Sequence, residues 1–167
     1  DGPDAKIQIH FMRTDGGEAW QITKHGESVS SFSFAPDGTK LLFSARDGLS
    51  DEEEQRRKSK DDAQVVEGTF RMTHLWVYDL DSGETTRLTD GNFTVNNPDW
   101  SPDSRRVVFE TRPNPTANDR WRSDISVIEM ETGEFRTLYE SGGSDTGPRW
   151  SPDGRTIAFA SNPTAGS

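Results

Sequence analysis

Three aspartates in matching surroundings are the first residues that could do chemistry. Asp37, Asp103 and Asp153 sit in Phe34-Ala35-Pro36-Asp37-Gly38, Trp100-Ser101-Pro102-Asp103-Ser104 and Trp150-Ser151-Pro152-Asp153-Gly154. A carboxylate can serve as a base or hold a cation. A side chain that recurs with its whole neighbourhood, however, reads as structural. The local chemistry is that of a tight turn. Pro36, Pro102 and Pro152 preset φ at the second turn position, Asp accepts backbone N–H groups, and Gly suits the closing position.

The remaining reactive side chains form no complete site. His10, His25 and His74 have no metal-ligand spacing, and no His-Glu-x-x-His occurs. Asp79 and Asp81 precede a glycine but fail the calcium-loop pattern, so they read as turn formers. Gly142-Gly143-Ser144-Asp145-Thr146 lacks the last glycine of a nucleophile elbow. There is no phosphate-binding glycine loop and no cysteine, so neither a cofactor nor a metal is expected. One loop is a candidate binding patch, with Arg112, Asn114, Asn118, Asp119, Arg120, Trp121 and Arg122 on one exposed stretch. Guanidinium groups beside a tryptophan suit a carboxylate or a peptide. The simpler reading is arginine stacked on Trp121, with Pro113 and Pro115 stiffening the loop.

The elements that carry these residues are short strands. Each aspartate turn precedes an apolar run: Leu41-Leu42-Phe43, Val107-Val108-Phe109 or Ile157-Ala158-Phe159. A second turn, Gly17-Glu18, Gly83-Glu84 or Gly133-Glu134, precedes each aspartate, with 19 residues from Glu to Asp in all three copies. The aspartates themselves recur after 66 and 50 residues, so 16 extra residues lie within 38–83. Four strands in a period of about 50 residues mark a β-propeller. With strands lettered A to D from the inside, 1–25 supply C and D. Residues 28–89 form a blade with an insertion at 46–70, 95–140 form a second blade, and 146–161 supply A and B. The expected fold is all-β: half a blade, two blades and half a blade of four antiparallel strands, an incomplete ring.

Composition agrees, with 29% hydrophobic and 10% aromatic residues. A net charge of −10 argues against nucleic acid, and no stretch approaches the roughly 20 apolar residues of a membrane span. Closed propellers carry about four to eight blades. Further blades or self-association, for instance a six-bladed dimer, are therefore expected to complete the ring. The A–B and C–D turns share one face of the disc. The long segments Arg46–Phe70 and Arg112–Ser123 share the other, where binding usually resides. The charged run Asp51–Asp62 reads as a solvated loop or short helix, with a docking segment as the alternative.

The repeated Trp-Ser-Pro-Asp-Gly turn resembles the repeats of Tol-type propellers and of prolyl oligopeptidase-family serine peptidases. The stretch from Asp61-Asp62-Ala63-Gln64-Val65-Val66 to Arg71-Met72-Thr73-His74-Leu75-Trp76-Val77 resembles the acylaminoacyl-peptidase and dipeptidyl-peptidase-like branch, as do Gly16–Thr23 and Ser123-Asp124-Ile125. That resemblance implies a non-catalytic propeller that gates and positions short peptides for an α/β-hydrolase domain of the same parent chain. It implies no catalytic residue on this segment. The expected location is cytoplasmic, or periplasmic if a signal peptide was removed. The alternative function is a protein-binding scaffold without enzymatic activity.

Overall fold

The computed structural model describes residues 5–48, 71–113 and 122–162. Among the described residues twelve strands follow in chain order, all in antiparallel ladders. The hairpin β1 (His10–Phe11) and β2 (Trp20–Gln21) comes first. The first full sheet is β3 (Val29–Phe34), β4 (Lys40–Arg46), β5 (Thr73–Asp79) and β6 (Thr85–Arg87), paired in that order. The second is β7 (Phe93–Trp100), β8 (Arg106–Pro113), β9 (Asp124–Glu129) and β10 (Phe135–Tyr139), paired likewise. A last hairpin joins β11 (Ser144–Trp150) to β12 (Ile157–Asn162). Four-stranded sheets in A–B–C–D order flanked by two half-sheets make a partial β-propeller, with no closed ring among the described residues.

The aspartate turns are built as their residues dictate. The N–H of Gly38, Ser104 or Gly154 donates to the carbonyl three residues back, at 2.9 Å each. These three residues take φ of 72°, 60° and 69°, a region that glycine enters freely and serine does not. In the second and third copies the serine before proline wires the turn. Ser101 donates to Asp103 at 2.6 Å and accepts from Arg106 N–H at 2.9 Å; Ser151 repeats this with Asp153 and Thr156. In the first copy Ala35 stands there, and Asp37 accepts from both Thr39 donors. These hydrogen bonds hold the carboxylates of Asp37, Asp103 and Asp153 below their ordinary range.

Packing lies between sheets. Ala35, Leu42 and Leu75 meet Val95, Trp100, Val107 and Phe109 across the two full sheets. Ile9, Val29, Leu41, Phe43 and Ala45 form the layer toward the first hairpin. Inner strands covered on both faces explain why β4 and β8 read as unbroken apolar runs. Where no neighbouring strand is found among the described residues, the same positions open up. Ile7 is 68% exposed, although Ile7, Ile9 and Phe11 read as one face in the sequence, and only Ile9 is buried. Phe32 and Phe34 share a face that is exposed for the same reason.

Equivalent contacts tie each C strand to the next A strand. Ile7 N–H donates to Ser28 Oγ at 3.0 Å, Thr73 N–H reaches Thr94 Oγ1 at 3.5 Å, and Ser123 and Ser144 hydroxyls meet at 3.3 Å. The ladder between β4 and β5 extends one rung past the strand ends, with Asp47 N–H donating to Met72 O at 2.8 Å. The chain thus leaves and re-enters the sheet at neighbouring rungs. Among the described residues no helix is long and apolar enough to cross a membrane.

Candidate functional site

The inner strands begin with a bulge in each sheet. Register shifts fall between Val29 and Ser31, between Asn96 and Asp99, and between Thr146 and Arg149. Asn97 and Gly147 occupy matching places in their strands and take φ of 47° and 64°. A bulge releases backbone groups from the ladder, and a side chain must satisfy them. Glu110 does so. It is fully buried, and its Oε1 accepts from Asn97 Nδ2 at 2.6 Å and from Gly147 N–H at 2.7 Å. The carboxylate therefore joins two successive inner strands. Its Oε2 has no hydrogen-bond partner and lies 3.7 Å from Arg112 Nη2. In the first full sheet Ser44 holds the position of Glu110, and its hydroxyl meets those of Ser30 and Ser31 at 2.9 and 2.6 Å.

These groups line an open cavity of about 770 Å³ bounded by the starts of β3 and β7 and the ends of β4 and β8. It lies on the face expected for the long connections. Glu27, Arg46, Glu110 and Arg112 are its charged residues. Glu27 is held by Lys6 at 2.8 Å and Arg71 at 2.9 Å, and the Lys6 hydrogen bond keeps its carboxyl below the ordinary range. Arg46 has no partner among the described residues.

Of the expected binding residues, Arg112 reaches this cavity, as part of β8 and not of a loop. Arg122 lies elsewhere, ion-paired with Glu140 and 3.7 Å from Asp124. Burial pushes the Asp124 carboxyl up, with Asp145 adding to the rise and Arg122 opposing it. Asn114, Asn118, Asp119, Arg120 and Trp121 fall outside the described residues, as do Asp51–Asp62 and the stretch Asp61–Val66. Sequence reasoning missed Arg46, Glu110 and the serines. The signal existed in the repeat: Arg46 and Arg112 each stand nine residues after a turn aspartate. His74 is a buried, hydrogen-bonded imidazole, with Nδ1 3.1 Å from Thr89 Oγ1.

Inner strands, interblade hydroxyls and turn repeats together define a segment of a β-propeller. Similar proteins include the kinds that the repeats resemble. No protein-family profile matches the chain. Over 116 residues it is 29% identical to the uncharacterized peptidase YuxL of Bacillus subtilis (strain 168), covering 61% of this chain and 18% of that protein. Its fold matches TolB from Acinetobacter baumannii with a TM-score of 0.59 at 19% identity, over 91% of this chain and 31% of that one. An oligogalacturonate lyase from Vibrio parahaemolyticus gives 0.64 at 13% identity, over 94% and 40%. The acylaminoacyl peptidase of Pyrococcus horikoshii gives 0.51 at 13% identity, over 77% and 16%. The chain thus spans under a fifth of the peptidase it matches in sequence. The structural likenesses show a shared fold across differently named proteins.

Proposed function

We propose that the chain is the non-catalytic propeller portion of a serine peptidase, where it gates and positions short peptides for a separate α/β-hydrolase domain. The observation that carries this reading is the sequence match to peptidase YuxL, which extends over 116 residues. The fold likeness to acylaminoacyl peptidase and the open cavity beside the inner strands support it. A cavity on a rigid sheet scaffold suits the capture of a flexible peptide before hydrolysis. Further blades complete the ring, in the parent chain or in a second copy, because β11 and β12 supply the strands that β1 and β2 lack. The test isolates the native gene product with an antibody to this segment and treats it with a fluorophosphonate probe for activated serines. A labelled chain much larger than 18.7 kDa is expected.

The likeness to TolB, which extends over 91% of this chain, favours a second reading: a protein-binding scaffold without hydrolase activity. An unlabelled product that co-purifies with a partner protein would establish that reading and overturn the first.

A further inference from the structure

We propose that Arg46 and Arg112 form a two-point receptor for a carboxylate carried by a short peptide. The two residues are repeat equivalents, Arg46 the last residue of β4 and Arg112 the last but one of β8, and each stands nine residues beyond a turn aspartate. The propeller repeat therefore brings two guanidinium groups to the rim of one cavity, although 65 residues separate them in the chain. In the third copy Asn162 takes this place, which confines the pair to the two full sheets.

Charge accounting favours an anion. The two carboxylates at the cavity are already engaged. Glu27 is shared by Lys6 and Arg71, and Glu110 Oε1 is saturated by Asn97 and Gly147. Arg112 is ion-paired with Glu110 Oε2 at 3.7 Å, longer than a hydrogen bond, so among the described residues its guanidinium N–H groups donate no hydrogen bond. Arg46 is unpaired among the described residues. Among the described residues, Lys6, Arg46, Arg71 and Arg112 stand against Glu27 and Glu110, a local excess of positive charge on a chain whose net charge is −10. Planar guanidinium groups match a carboxylate in a two-bond fork. The hydroxyls of Ser28, Ser30, Ser31 and Ser44 line the same space and can turn to donate. A monoanionic carboxylate fits better than a phosphate, because Glu27 and Glu110 flank the site and repel a second negative charge. A volume of about 770 Å³ has room for several peptide residues. Only the choice of a peptide as carrier rests on the function proposed above.

The test uses the whole chain in calorimetric titrations at low salt. The probes are acetyl-trialanine with a free C-terminus, the same peptide as its amide, and acetyl-Ala-Asp-Ala-amide. The C-terminal and side-chain carboxylates are the two possible sources, and whichever of these two peptides binds more tightly identifies the source. Arg46→Gln and Arg112→Gln are each expected to weaken the preferred peptide about tenfold, and the double variant more. The amide peptide without a carboxylate should be indifferent to both. Circular dichroism of the variants checks the fold, and Arg46→Gln disturbs no described partner. Binding of the carboxylate-free amide as tight as that of both carboxylate peptides, unchanged affinity in the double variant, or displacement by equimolar inorganic phosphate would overturn the proposal. A carboxylate site that persists in a gene product without a reactive serine would leave this inference standing and remove the peptidase reading.

Discussion

Phe109→Ala and Phe159→Ala change the same position of the repeat in two settings. Phe109 is fully buried in the cluster that includes Leu42 and Leu75 of the preceding sheet, with Phe135 stacked at 5.7 Å. Removing a fully buried phenylalanine costs about 3–5 kcal/mol, because transfer energy and an unfilled cavity add. Phe159 keeps its face toward the preceding sheet, where Tyr139 lies 4.9 Å away. Among the described residues it has no flanking third strand like those that place Trp76 beside Phe43 and Ser126 beside Phe109. Half-buried, it loses only part of its transfer energy and one aromatic contact, about 1–2 kcal/mol in all. Urea unfolding of this chain should show the two midpoints well separated at unchanged slope. The melting temperature should fall by roughly 8–16 °C for Phe109→Ala and 2–6 °C for Phe159→Ala. Completing the last sheet with a third strand should raise the second value toward the first. Equal losses in this chain would refute the argument, because they would mean that β12 is already flanked on both sides.

Three other perturbations follow from particular contacts. Glu110→Ala leaves the Asn97 amide and the Gly147 N–H without their acceptor, at about 1–3 kcal/mol each. Glu110→Gln keeps one oxygen and should lose less than half as much, with hydrogen exchange at Gly147 distinguishing the two. Ser104→Ala removes the acceptor for Asp37 N–H, 2.9 Å away, and keeps the left-handed backbone. Ser104→Gly removes the same acceptor but relieves the backbone, so the glycine variant should be more stable than the alanine by about 1 kcal/mol in chemical denaturation. His74 is lowered by burial, then raised by Asp47, lowered by Arg87 and raised by Asp90. Burial prevails because Asp47 is itself bound to Arg87 at 3.0 Å. The unfolded chain therefore takes up this proton first. The contribution is complete above the ordinary histidine value of about 6.5 and is lost as pH falls from there to the lower folded value. Placing at His74 the residue that Gln8 supplies in the first hairpin, His74→Gln, should flatten that limb in pH-dependent unfolding.

The hairpins were legible because their chemistry is local. Five residues from an aromatic to a closing Gly or Ser specify each A–B turn, and the pairings of β3 with β4, β7 with β8 and β11 with β12 follow. The inner strands were read too short. The blade bounds start them at 95 and 146, whereas β7 begins at Phe93 and β11 at Ser144. The cause is the bulge: Asn and Gly at positive φ carry the composition of a loop and break the alternation on which strand recognition depends. Arg112 looked like a loop residue because Pro113 follows it, yet β8 runs through both. Glu110 gave no warning, since a single acid within Val-Val-Phe-Glu-Thr reads as an outward position. Its role arises from strands that approach only in three dimensions. The serines of the cavity had no pattern of their own until the repeats were superposed.

The rung between Asp47 and Met72 has a consequence for how such a protein can change. Both ends of the excursion are clamped at one place in the ladder, so sequence added between them leaves the sheet undisturbed. The entropic cost of such growth is slow, about 0.6 kcal/mol for each doubling of length. The position is a natural splice point, where new sequence can be grafted while the scaffold beneath keeps its geometry.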